Sequence, residues 1–142
     1  MIISLKYRTN AQLDLDKVKG FTADVNIFEY QILLIPVLVH NHWTLVYADT
    51  RLLQVGYLDS DGDGGLEYIL ARERKRFYRT PFPDWLTVPS SLALIPQQGD
   101  TKACGIFMLM NMILLADGED VSRFNRDHIG AARENIAHSI LA

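Results

Sequence analysis

The chain has 142 residues, 49% of them hydrophobic and 22% charged, with a formal net charge of −3. That is one domain's worth of sequence with ordinary globular composition, long enough to bury a core. The slightly acidic balance argues against bulk nucleic-acid affinity, and a single cysteine rules out an intramolecular disulfide.

That lone cysteine suits a reducing compartment, so an intracellular setting in cytoplasm or nucleus is expected, or a host cell's interior for a secreted effector. The start, Met1 to Lys6, lacks the apolar length of a signal peptide. The longest apolar run, Ile106 to Ala116, is broken by Asn111 and too short to span a bilayer, so no membrane contact is expected. No repeat, low-complexity tract or interdomain linker divides residues 1–142.

Taken in order, residues 1–16 alternate weakly and then turn polar, which fits a short strand at most. Gln31 to His40 is too uniformly apolar for a strand with one wet face and predicts a central strand covered on both sides. Pro36 within it predicts a bulge or an interruption of the ladder. Asn41 breaks the run. His42 to Asp49 and Leu52 to Leu58 read as the next strands, with a turn at 49–51 between them, so an antiparallel meander is expected at the sheet's centre.

Asp59, Asp61, Asp63 and Gly64 match the opening of a calcium-binding EF-hand loop, and Leu66 fits its apolar eighth place. Leu70 stands where the bidentate Glu is required, and the preceding segment is strand-like. A Gly/Asp-rich turn without metal is the expectation.

Leu66, Ile69, Leu70 and Phe77 then recur at helical spacing, predicting an amphipathic helix from Leu66 to Tyr78. Its other face carries Arg72, Arg74, Lys75 and Arg76, with Arg79 just beyond. That face is either plainly solvated or a docking patch for an acidic partner. No interleaved aromatic platform points to nucleic acid.

Pro81 and Pro83 end that helix. Asp84 to Ser91 is expected to be a loop anchored by Trp85, and Leu92 to Ile95 a last buried strand. The apolar run after Cys104 predicts a buried helix stopped at Asp117-Gly118. Ile129, Arg133, Ile136 and Ile140 predict a closing helix from Arg126 to Leu141.

The candidate chemistry gathers at Cys104, where a polar loop turns into that apolar helix. A lone cysteine is often a small core hydrophobe. At a helix N-terminus, however, its thiolate is favoured by the macrodipole and by unpaired first-turn N–H groups. A cysteine nucleophile also needs an imidazole to take its proton and a third group to fix the imidazole's tautomer. His42 and Asp59, at the ends of adjacent predicted strands, can supply both; by position alone His40 competes with His42. Gln97 and Gln98 are chemically alike donors upstream of the cysteine.

His42-Trp43 with Leu45, Leu58-Asp59-Ser60, and Pro96-Gln97-Gln98 followed by Cys104-Gly105 resemble the SUMO-specific, ubiquitin-like-protein protease family of cysteine peptidases. The resemblance runs from about Val25 to the C-terminus. It implies a papain-like α+β fold, with a central mostly antiparallel sheet and a buried helix carrying the nucleophile at its N-terminus. It implies His42 as general base, Asp59 as its orienting carboxylate, Cys104 as nucleophile and Gln98 as an oxyanion donor beside the Cys104 N–H. Trp43 becomes a wall of a slot that admits only residues without side chains, with Gly105 beside it.

The implied reaction is cleavage after the C-terminal Gly-Gly of a ubiquitin-like modifier, SUMO or ubiquitin, with no cofactor and no metal. Arg74 and Arg76 are the surface candidates for choosing the modifier, which is the implied partner.

Two positions depart from the family pattern: Ala103 stands where Asp is usual, and Asp100 where Asn is usual. The family's N-terminal segment, with a tryptophan that roofs the substrate tunnel, is not found before Asp14, so residues 1–142 are expected to be a single catalytic domain, minimal or excised. Two other readings share the pattern. One is an acyltransferase of related architecture, passing an acetyl group from its cysteine, although such enzymes typically orient the histidine with Glu rather than Asp. The other is a catalytically inactive modifier-binding domain.

Overall fold

The computed structural model describes residues 5–6, 26, 29–39, 41–62, 86–88, 95–100 and 102–141. Among these, five strands form one sheet: β1 (Leu5–Lys6), β2 (Ile32–Val39), β3 (His42–Asp49), β4 (Gln54–Leu58) and β5 (Leu86–Val88), side by side in that order. The central meander β2–β3–β4 is antiparallel, as its successive strands and short turns predict, and β1 and β5 flank it in parallel. The sheet is followed by helix α1 (Cys104–Asp117) and helix α2 (Ile129–Leu141).

Adjacent Leu33 and Leu34 point to opposite faces of β2, and both are buried, as a strand covered on two sides requires. The ladder runs unbroken through Pro36, which pairs with Leu45, so the bulge predicted there is absent. The reason is phase. Thr50 N donates to Gln31 O at 3.0 Å, so the odd-numbered residues of β2 exchange hydrogen bonds with β3 while even-numbered ones turn their N–H groups away. The missing N–H of Pro36 therefore faces the side of β1, whose described residues pair with Val37 and Leu38.

Val39 pairs with His42, leaving a two-residue hairpin in which Asn41 takes φ 66°. Asn tolerates that left-handed conformation. The β3–β4 turn is closed by Asp49 Oδ1, which accepts from Arg51 N at 2.9 Å and Leu52 N at 3.0 Å. Leu52 and Leu53, predicted to begin the next strand, lie in this turn at 60% and 44% exposure. Their apolar character imitated a strand start that the carboxylate-closed turn overrides.

Helix α1 is apolar on nearly every side because it is packed on two sides. Met108 and Met112 join Leu34, Leu45, Leu58 and Ile95 against the sheet. Phe107 and Ala103 pack instead with Phe124 and Ala132, the two phenyl rings meeting edge to face at 5.0 Å and 78°. Gly118, at φ 73°, ends α1 where the sequence predicts, its N–H reaching Leu114 O and Leu115 O while Glu119 N reaches Leu114 O.

The closing helix starts as a 3-10 turn, Arg126–His128, before α2 proper. Its buried face centres on Ala132, with Ile129 and Ile136 partly covered. Ile140, predicted to share that face, is 77% exposed, since α2 at that point has run past the hydrophobic cluster built on Phe107.

The segment Asp84 to Ser91, predicted as loop, contributes β5 instead, a three-residue parallel neighbour of β4 held by main-chain pairing. Ile95 is buried in the core but is not in a strand, and residues 92–94 lie outside the described residues. So do the predicted helix from Leu66 to Tyr78, with Arg74 and Arg76, and also His40 and Trp85. No helix among the described residues is long and apolar enough to cross a membrane.

Candidate active site

Strands β3 and β4 bring His42 and Asp59 together. Asp59 follows directly on the last residue of β4, and His42 opens β3, the neighbouring strand. His42 Nε2 lies 2.6 Å from Asp59 Oδ1, with the imidazole partly exposed and the carboxylate buried. A carboxylate accepts and does not donate, so Nε2 is the protonated nitrogen and Nδ1 keeps the basic lone pair.

The carboxylate is fixed by two further donors: Asp61 N reaches Oδ1 at 3.0 Å, and the Tyr57 hydroxyl reaches Oδ2 at 3.3 Å. Burial pushes the Tyr57 phenol well above its usual range, so it stays protonated and donates. With its oxygens so engaged, Asp59 is a poor calcium ligand, and Asp63 and the rest of the EF-hand-like stretch lie outside the described residues.

Cys104 is the first residue of α1 and is buried. As an initial helical residue, its N–H has no acceptor within the helix. The indole of neighbouring Trp43 sits against the same turn, since a Cβ built on Gly105 would meet Trp43 Cδ1 at 3.6 Å. Trp43 and Gly105 are thus brought to the Cys104 end of α1, with the indole also packed on the core. Among the described residues no hydrogen bond links Cys104 to His42. Catalytic pairs commonly close only once substrate is bound.

The loop before Cys104 is tightly built. Gln98 is buried at 3% exposure, and its main-chain N donates to Ser60 O at 2.8 Å. Its side-chain Oε1 accepts from Ser60 Oγ at 2.7 Å, and its Nε2 donates to Asp100 O. The main-chain carbonyl of Gln98 accepts from Arg126 Nε at 2.8 Å. Gln97, by contrast, spends its amide on Ile95 O at 2.9 Å, which separates the two glutamines that spacing alone distinguished.

Both departures noted in the sequence have a structural account. Ala103 is the N-cap of α1 and offers no side-chain cap; its methyl is wholly buried with Phe107, Phe124 and Ala132. Asp100 supplies the missing acceptor, its Oδ1 taking Lys102 N at 2.8 Å and Ala103 N at 2.9 Å.

Sequence reasoning gave no role to three residues of this constellation, Ser60 among them although it belongs to the Leu58-Asp59-Ser60 motif. Tyr57 was visible in principle, two positions before Asp59 on the same strand face. Ser60 and Arg126 reach Gln98 from 38 and 28 residues away, and nothing local announces either contact.

Comparison with known proteins identifies the family and the fold. The profile of the Ulp1 protease family, C-terminal catalytic domain, matches residues 6–142. Sentrin-specific protease 2 of Homo sapiens is 35% identical over 98 residues, a match covering 63% of this chain and 17% of that protein, so the chain aligns with a small part of such relatives. Among solved structures, the SUMO protease Ulp1 with its catalytic cysteine oxidised to a sulfenic acid superposes with a TM-score of 0.74 at 20% identity, covering 97% of this chain and 68% of that one. The C-terminal Ulp1 protease domain in complex with Smt3, the yeast ortholog of SUMO, gives 0.72 at 19% identity, covering 97% and 67%. These likenesses support the predicted α+β fold, with Cys104 leading its helix.

Proposed function

The chain belongs to the Ulp1 protease family, and from that membership we propose that it is a cysteine protease cleaving after the C-terminal Gly-Gly of a SUMO-type modifier, to release it from a lysine or a precursor. The observation that carries the reading is the His42 Nε2–Asp59 Oδ1 contact at 2.6 Å, on the sheet that packs against the helix opened by Cys104. The chain is read as one catalytic domain over residues 1–142.

In this reading Asp59 holds Nε2–H, and Nδ1 takes the proton of the Cys104 thiol as sulfur attacks the carbonyl carbon. The oxyanion of the tetrahedral intermediate accepts from the Cys104 N–H and the Gln98 Nε2–H. An amide nitrogen carries two hydrogens, and Asp100 O takes one, leaving the other for the oxyanion. When the C–N bond breaks, the imidazolium protonates the leaving amine. Water, deprotonated by the same imidazole, then attacks the thioester, releasing the modifier's carboxylate and restoring the thiol.

The test is covalent labelling by full-length modifiers tipped with an electrophile. SUMO probes are expected to form a thioether with the wild-type chain and none with Cys104→Ala. Labelling by ubiquitin alone would move the substrate assignment. Labelling by neither would return the acyltransferase reading.

A further inference from the structure

Asp59 and Ser60 are consecutive, yet they serve opposite halves of the site. Asp59 holds the imidazole, and Ser60 holds the loop that carries Gln98. A carboxamide can sit in either of two orientations that differ by a half-turn, and only one of them points N–H where an oxyanion would form. The orientation here follows from the partners. Asp100 O can only accept, so the amide edge facing it is the NH2. The opposite edge is therefore Oε1, and Ser60 Oγ, 2.7 Å away, must donate to it.

Both residues are 3% exposed, so an Oε1 without this donor would be a buried unsatisfied acceptor. Ser60 grips the same residue a second time, through its main-chain O to Gln98 N at 2.8 Å. We infer that Ser60 is a positioning residue for the oxyanion hole, its hydroxyl locking the Gln98 amide with Nε2 turned toward the reacting carbonyl. This rests on the reading of Gln98 as an oxyanion donor.

An oxyanion donor acts only when aimed, so loss of the lock appears in kcat rather than in substrate binding. Ser60→Ala is expected to lower kcat roughly ten- to a hundredfold, with KM unchanged, because a small misplacement can forfeit much of one donor's contribution. A purely structural role would not depend on Gln98, and a double-mutant cycle separates the two. In a Gln98→Ala background, Ser60→Ala should lower kcat by less than about twofold, since no amide remains to be aimed. Ser60→Cys, which keeps the side chain's shape and weakens the donor, should fall between serine and alanine, and it carries the comparison should the alanine variant not fold. Gln97→Ala, whose amide is used elsewhere, should leave kcat unchanged.

Equal losses from Ser60→Ala with and without Gln98, or no loss at all beside a large effect of Gln98→Ala, would overturn the positioning role alone. A harmless Gln98→Ala would overturn the oxyanion assignment and, with it, this proposal.

Discussion

Tyr57 donates its hydroxyl to Asp59 Oδ2 at 3.3 Å, on the carboxylate oxygen that His42 does not use. The two contacts together hold the carboxylate plane, and so the imidazole, without relying on the hairpin beyond His42. Tyr57→Phe removes one buried hydrogen bond and leaves the ring in place. It should lower kcat about three- to tenfold, the effect of roughly 1 kcal/mol, with KM little changed. Asp59→Asn should be more damaging, because it removes the negative charge that stabilises the imidazolium and loosens control of the imidazole's tautomer. If Tyr57→Phe proved as damaging as Asp59→Asn in steady-state kinetics, the phenol would be more than a support.

Gly99 stands at φ 64°, and a Cβ built there would fall on the Arg126 guanidinium. Gly99→Ala therefore strains the backbone and displaces the arginine that grips the Gln98 carbonyl at 2.8 Å. Left-handed backbone costs a residue with a Cβ about 1–2 kcal/mol, so Tm should drop by roughly 5 °C. Activity should fall further than that loss of stability explains, since the displaced contact holds the loop of Gln98, the proposed oxyanion donor. Arg126→Ala should reproduce the activity loss with a smaller Tm change. Unaltered kcat in both variants would show that the loop holds itself.

The meander was legible because its signals are local. Val39 and His42 pair across a two-residue turn, and Leu33 and Leu34 are both apolar because both faces of β2 are covered. Cys104 was legible from the abrupt change of polarity at the start of α1. Three of the errors share a physical origin, in that main-chain hydrogen bonding decided what side-chain character suggested otherwise. Leu52 and Leu53 are exposed because Asp49 closes the turn, Pro36 is harmless because its nitrogen faces away from β3, and β5 is recruited by β4 rather than by its own sequence. Ser60 and Arg126 were beyond reach for a further reason. A serine hydroxyl and an arginine are ordinary surface chemistry until the fold sets them against Gln98.

Asp100 makes the loop before Cys104 sensitive to acid. The Lys102 N–H holds its carboxyl below the usual value of 3.8; burial opposes this, and the Ala103 N–H, Arg133 and Arg126 reinforce it. The group is thus a weaker base folded than unfolded. Its contribution is complete above the unfolded value and is lost as pH falls through the folded one. The Tm difference between the wild-type chain and Asp100→Ala should stay constant above about pH 5 and close progressively below pH 4. Melting curves across that range provide the check, and a gap unchanged down to pH 3 would deny the carboxylate this role.

The substrate prediction rests on Trp43, whose indole lies against the first turn of α1 beside Gly105. If that indole walls the approach to Cys104, the two residues before the cleaved bond must lack a Cβ. A reporter ending Gly-Gly should be cut, and the same reporter ending Ala-Gly or Gly-Ala should lose most of its kcat/KM. Trp43→Ala should narrow that gap while lowering activity on Gly-Gly, because a wider slot also positions the carbonyl less well.

A slot that reads only glycine cannot tell one modifier from another, so the choice must lie on surface away from it. The basic stretch with Arg74 and Arg76 is the candidate for that surface. If it docks an acidic face of the modifier, charge reversal at both positions should raise KM and flatten its dependence on salt, with kcat nearly untouched. A fall in kcat without a change in KM would instead tie those arginines to the reaction centre, and no change in either would leave them as a solvated face.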